Sequence, residues 1–389
     1  MIAYNKIWLA NLRLHDQLEN DLQNGRISND EFTAIKEKYP IGFYTPGLFA
    51  RIGLFILTCI VIIFVDGLIT LMAGNALSSA GFPIFLGILS YAGLEVMVNV
   101  NHHYRSGVDD ALLFIAGCLF FAGFFMMFEG FHDGTNHVAL TGFTFLLSLV
   151  FAIRFVDMLM SAVCCVFFFL FVFFCWTTGI SSGLLTAPFV MMIVSAALYW
   201  LIHIYGKQAR LINYENCLIV AKVVCLLTLY AAGNYYIVQT LSNDINSNGP
   251  GNTAIPFGSV FWAWTILLPF IYLFFGIKRK DVILLRTGLL LVVVAVVTFR
   301  NYFHILPIDV TLTLLGAALL GISYSIMKYL KTPKHGFTYA EPSEAHLMDP
   351  LKVESLIIAE TFSKAPSAPA DSSKFGGGDF GGGGSSDSF

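Results

Sequence analysis

Runs of about twenty apolar residues, parted by short polar breaks, recur along most of this chain and restrict its fold more than any other feature. A segment of that length spans the hydrocarbon core of a bilayer as an α-helix, which satisfies its own backbone N–H and C=O groups where no water can. Ten such segments can be placed, at 48–72, 81–101, 109–128, 136–153, 157–176, 184–205, 216–238, 258–277, 282–299 and 308–330. Charged residues are only 12% of the chain, against about 25% in ordinary soluble domains, and a water-soluble globule is excluded. A formal net charge of −3 also leaves no basic surface for nucleic acid. The expected fold class is all-α, a polytopic integral membrane protein of about ten transmembrane helices, with the lipid bilayer as its first partner.

Loop charge orients the helices, because Lys and Arg concentrate in cytoplasmic connections. Lys6, Arg13, Arg26, Lys36, Lys38 and Arg51 precede or open the first span. Every second connection after it is again basic, with Arg105, then Arg154, then Lys207 and Arg210, then Lys278, Arg279 and Lys280. The connections between these (73–80, 129–135, 177–183 and 239–257) hold no Lys or Arg, and Arg300 alone lies on their side. Both termini are therefore expected in the cytoplasm. Trp176, Tyr235, Tyr236, Trp262 and Trp264 sit near helix ends at the outer boundary, where an aromatic belt forms. Residues 1–40 carry charges of both signs and no apolar core, so no signal peptide is expected there.

Four parts follow. Residues 1–47 read as a cytoplasmic helical hairpin, with Ile7, Leu14, Leu18 and Leu22 on one stripe, a turn at Asn24 and Gly25, and Ser28 and Glu31 at capping-box spacing. Residues 48–330 form the transmembrane domain. Residues 331–365 form a cytoplasmic segment with a short amphipathic helix opened by Asp349 and Pro350. The tail, 366–389, ends in GGGDFGGGGSSDSF and lacks the apolar area to offset its chain entropy, so disorder is expected. Both ends read as attachment elements for a cytoplasmic or membrane protein partner.

The opening residues Asn24-Gly25-Arg26-Ile27-Ser28, the Asp30 and Glu31 pair, Tyr39, and Arg51 entering an apolar helix with Gly53 and Asp66 resemble the start of a known family. It is the bacterial family of predicted multi-spanning membrane proteins catalogued as a domain of unknown function. Arg300-Asn301-Tyr302, Leu306-Pro307, Leu315-Gly316 and Lys328-Tyr329-Leu330 are similar to the closing part of such proteins. The Gly-Phe tail resembles those of TPM-domain membrane proteins, without a TPM domain before it. The resemblance implies a bacterial inner-membrane location and no assigned activity, so it carries over no site residue.

Charges inside spans are the strongest pointers to a site, since each costs about 2.5–3.5 kcal/mol on insertion scales. Glu95, Lys222 and Arg286 lie at one depth, roughly 6–9 Å below the cytoplasmic interface. They read either as an intramembrane polar group with a surplus positive charge, or as two snorkelling cations beside a locally satisfied Glu95. Asp66, near the outer end of the first span, has Arg300 as its candidate counter-ion. Pro269, midway along the eighth span, removes a bond to the carbonyl of Thr265 and predicts a kink. The span at 157–176, with Phe167, Phe168, Phe169, Phe171, Phe173 and Phe174 nearly all round, suits a lipid-facing or peripheral place.

Glu129, His132, Asp133 and His137, and likewise His102 and His103 near Asp109 and Asp110, are metal-ligand types without a zinc spacing, and read as polar loops. All seven cysteines lie within apolar runs and read as small buried hydrophobes. No P-loop, G-x-S-x-G, H-E-x-x-H or Rossmann string occurs. No catalytic residue, metal or cofactor is therefore expected. The leading functional reading is a non-enzymatic scaffold or sensor, and the alternative is a small-solute transporter or channel with an anion-leaning site near the cytoplasmic side.

Overall fold

The computed structural model describes residues 2–302 apart from 24, 75–78, 130–134, 182, 207 and 246–256, together with separate positions between 310 and 328. Regular structure among the described residues is helical, with one isolated bridge between Tyr44 and His103. Two short helices come first, α1 (Lys6–Gln23) and α2 (Asn29–Lys38). Ser28 caps α2 through the reciprocal capping box with Glu31, and Asn11 and His15 on α1 bond to the carbonyls of Pro40 and Tyr39 beyond it.

The long apolar helices are α3 (Leu48–Ala73), α4 (Gly81–Asn99), α5 (Val108–Glu129), α6 (Thr135–Phe155), α7 (Met158–Gly179), α8 (Gly183–Tyr205) and α9 (Glu215–Gly233). A short α10 (Tyr235–Ile245) intervenes before α11 (Gly258–Arg279) and α12 (Val282–Tyr302). Among the described residues nine helices are long and apolar enough to cross a membrane. The tenth expected span, 308–330, falls largely outside the described residues, as does everything beyond it.

Packing runs through neighbours in sequence: α4 on α5, α6 on α7, α8 on α9 and α11 on α12. Gly276 and Gly288 let the last pair approach closely, since a Cβ on Gly276 would stand 2.8 Å from the backbone nitrogen of Leu285. Two apolar cores result. One joins Tyr4 and Leu9 of the N-terminal segment to Leu94, Val98, Leu112, Leu113, Phe151, Phe155 and Met160 of α4 to α7. The other joins Leu226 and Tyr230 of α9 to Leu268, Tyr272, Leu284 and Leu291 of α11 and α12.

Two expectations need correction. The phenylalanine-rich helix, α7, is not peripheral: it packs on α6, α8 and α9 and buries Met160, Ser161, Cys164 and Phe169. Its rings interleave with aromatic neighbours, as Phe167 does with Phe121 and Phe168 with Phe145, so ring area that reads as lipid-facing is spent on helix contacts. The peripheral helix is α3, which buries none of its residues and packs on α5. The expected span 216–238 is also interrupted. Asn234 ends α9 and caps α10, its Oδ1 accepting from the N–H groups of Tyr236 and Ile237.

Candidate functional site

Polar and charged side chains concentrate at one end of the bundle, where α4, α6 and α8 finish and α3, α5, α7 and α9 begin, and where the N-terminal hairpin docks. Sequence placed Glu95 there, but its partners are not those expected. The carboxylate takes the guanidinium of Arg154 on α6 in a two-point fork, Nε donating to Oε1 at 2.5 Å and Nη2 to Oε2 at 2.8 Å. Tyr91 Oη donates to Oε1 at 2.6 Å and Asn99 Nδ2 to Oε2 at 2.7 Å, one helical turn to either side on α4. The expected Glu95, Lys222 and Arg286 group does not assemble. Lys222 is half-buried on α9 and Arg286 exposed on α12, helices that pack with each other and not around Glu95.

A second pair joins α3 to α5. Arg51 donates to Oδ2 of Asp110 from Nε at 2.9 Å and from Nη2 at 2.6 Å. Its neighbour Asp109 is buried and faces the loop ahead of α5, accepting from the backbone N–H of Arg105 and Ser106 and from the Ser106 hydroxyl, all at 2.8–2.9 Å. His103 Nδ1 lies 2.7 Å from the same hydroxyl. This loop is held in a conformation that L-residues rarely adopt, with positive φ at His102, Arg105 and Gly107. Gly107 is needed there, because a Cβ would stand 2.1 Å from the carbonyl oxygen of Arg51. The loop is thereby pressed onto the start of α3.

A third carboxylate, Asp157, lies in the two-residue link between α6 and α7. It caps α7 by accepting from the N–H of Met160 at 2.7 Å, and the preceding Val156 has a φ of 51°. Burial raises the Asp157 carboxyl above its ordinary pKa, against the lowering effect of its hydrogen bonds and of Arg105 and Arg51. Cys217 and Tyr214 close the same region onto α9, the thiol bonding to the carbonyl of Asp157 and the phenol to that of Ile153.

Over these acids lies the N-terminal segment. The Ala3 N–H donates to the carbonyl of Arg154 at 2.8 Å, so the chain start supplies a donor to the end of α6. Tyr4 packs edge-on to Tyr104 and Phe43, with centroids 4.8 and 5.9 Å away. Burial pushes its hydroxyl well above the usual tyrosine pKa, and the nearby Asp109, Tyr104, Asp110 and Asp157 push the same way. Trp8 stands edge-on to Phe43 and His102. Aromatic contacts therefore join the hairpin, the approach to α3 and the strained loop into one cap.

The remaining sequence candidates are dispersed. Asp66 is half-buried on α3, and its side chain makes no hydrogen bond or ion pair among the described residues; its carbonyl accepts from the Thr70 hydroxyl at 2.5 Å. Arg300 lies on α12, which packs on α9 and α11, so the expected outer pair is not formed within the chain. Pro269 is buried in α11, which continues through it as one helix. A helix interruption meets the preceding turn of α11, where Thr265 accepts from the Tyr235 N–H at the start of α10. His132 and Asp133 lie outside the described residues, and His137 stacks on Phe174. Among the described residues no group of three His, Cys, Asp or Glu side chains is placed to hold a metal ion.

Sequence reasoning missed Arg154 and Asp110 as partners. Read as a loop charge, Arg154 stands one residue from the end of α6, while Glu95 lies four residues, roughly 6 Å, inside the end of α4. Both helices finish at the same face, and the available signal was that a long arginine side chain reaches across that difference. No family model, curated protein or solved structure matches this chain, so its function is argued from these contacts alone.

Proposed function

We propose that this chain is a multi-pass protein of the bacterial inner membrane, with ten spans and both termini in the cytoplasm, acting as a non-enzymatic scaffold or sensor. The observation that carries the reading is the engagement of the charges at the hairpin end. Glu95 and Asp110 hold arginines, Asp109 is saturated by backbone and hydroxyl donors, and Tyr4 lies over them. Carboxylates so occupied serve to fix a cytoplasmic cap and not to bind a passing solute. The cap makes the hairpin a positioned element whose outer side, including all of α2 except Phe32 and Ile35, and an Ile7 that is 69% exposed, is open to a partner. The amphipathic segment and tail beyond 330 are the second attachment element.

The alternative, a small-solute transporter, draws support from the break at Asn234, which meets α11 at Thr265, since interrupted helices line transport sites in several folds. The N–H groups freed here are internally satisfied, Tyr235 donating to Thr265 Oγ1 and Tyr236 and Ile237 to Asn234 Oδ1. Scaffold is therefore preferred.

Two measurements test the reading. Alkaline phosphatase fused after Asn246 is expected to be active and after Lys280 inactive; the reverse pattern removes the topology. Reconstituted protein is expected to pass no chloride, phosphate or proton current above that of empty vesicles. A current lost in Glu95→Gln would replace the scaffold with a transporter.

A further inference from the structure

The carboxylate of Asp66 stands apart from the other described acidic side chains set a turn or more inside these spans. Glu95 and Asp110 each hold an arginine of a neighbouring helix, while Asp66 has no partner among the described residues. It sits about 10 Å from the far end of α3, too deep for a two-bond side chain to reach headgroups. Its helix is also the least enclosed, with Ile63, Phe64 and Leu68 beside it all more than 60% exposed. Lipid satisfies those apolar neighbours but not the carboxylate, because an ionisable group at this depth belongs against protein or a wet cavity.

Charge complementarity names the occupant. Asp66 lies 18 residues, roughly 27 Å, beyond the start of α3, and Arg300 lies 18 residues, roughly 27 Å, beyond the start of α12. Both helices run outward from the hairpin end, so the two charges stand at matching heights along their helices. Arg300 also interacts within its own chain, but its five N–H donors allow a second acceptor. On α12 it continues an outward-facing row formed by Leu290 and Val297, 55% and 43% exposed. Within one chain the two charges are kept apart: α3 meets the bundle through α5, α12 meets it through α9 and α11, and the packing path between runs through α6 and α7. The chain's own segment 308–330 follows Tyr302 by a connection of only five residues, which reaches at most about 18 Å, two helix diameters.

We propose that α3 is the docking face for a second copy of this chain, which lays its α12 along α3 so that its Arg300 meets Asp66. The two surfaces differ, so the contact is head-to-tail and repeats from copy to copy into a ring or an open row. Asp66 then has its counter-ion, and the exposed flanks of α3 and α12 are covered by one interface. The inference needs the bundle to lie in a membrane but not the scaffold reading.

Full-length chains with two different tags, one bearing Ile63→Cys and the other Val297→Cys, are co-expressed and oxidised in native membranes. Each cysteine stands one turn from its charge toward the hairpin end, and each variant alone, with the native cysteines present, is the control. A disulfide-linked dimer carrying both tags is expected, and only when both variants are present. Asp66→Asn is expected to lower its yield about tenfold. Asp66→Arg should abolish it, and Asp66→Arg with Arg300→Asp in both chains should restore it. A linked dimer from Ile63→Cys alone would overturn the proposal in favour of α3 against α3. An intrachain bond between Ile63→Cys and Leu320→Cys would put the chain's own segment on α3, and a mixed dimer indifferent to Asp66→Asn would remove the charge pair. Unlinked chains at membrane concentration would mean that α3 faces lipid.

Discussion

Single side chains at the hairpin end work through reciprocal contacts, and their removal is not symmetrical. Arg154→Met leaves Glu95 with Tyr91 and Asn99 but no cation, and Glu95→Gln leaves the guanidinium without a carboxylate. The pair is partly exposed, 36% for Arg154 and 20% for Glu95, so each change is expected to cost about 1–3 kcal/mol and not the larger penalty of a fully buried pair. Thermal unfolding in detergent is the readout. The double variant should cost less than the sum of the singles, and additive costs would mean that the pair contributes nothing. Arg154→Lys should behave nearly as Arg154→Met, since an ammonium cannot reproduce the fork. Gly107→Ala is a harsher change, because it combines a φ of 93° with a Cβ inside the Arg51 carbonyl. A loss of about 2 kcal/mol or more is expected in the same assay, and an unchanged melting temperature would mean that the loop does not press on α3.

At the level of elements, the link between α6 and α7 depends on a buried acid that both caps and titrates. Asp157→Ala removes the acceptor for the Met160 N–H and should destabilise by about 1 kcal/mol. Asn at this position keeps an acceptor and removes the charge, so Asp157→Asn should be neutral or stabilising at neutral pH. The pH dependence has a definite sign. A carboxyl whose folded pKa is raised binds its proton more readily in the native state, so its ionisation withholds stability above the folded pKa, and that stability returns as pH falls toward the unfolded value. Melting curves of the wild type against Asp157→Asn should converge as pH is lowered through that window; divergence would reverse the sign. Glu31 acts the other way, because its bonds to Ser28 hold its carboxyl low. Its contribution to α2 is present above the unfolded value and lost as pH falls through the folded one, which local hydrogen exchange at α2 can follow.

For the whole molecule the cap is the testable unit. Tyr4→Ala with Trp8→Ala removes the rings that seat the hairpin on the loop before α5, and the hairpin is expected to come loose while the long helices stay packed. Trypsin should then cleave at Arg26 at least about tenfold faster with little change in helical content; equal cleavage rates would mean that the hairpin is held by other contacts. The sequence by itself determined the long helices, because apolar length is a local property and a bilayer accepts few other backbones. It also determined the capping box of α2 and the alternation of basic connections, which depend on neighbouring residues only. Which charges meet was decided by tertiary structure. Depth along a helix could be counted for Glu95, Lys222 and Arg286, but the neighbours of α4 could not, and packing gave Glu95 to Arg154 while leaving Asp66 and Arg300 on separate flanks. The phenylalanines of α7 and the apolar face of α3 look alike as text. Only packing distinguishes them, because in an apolar solvent the same side chains satisfy either a neighbouring helix or a lipid tail.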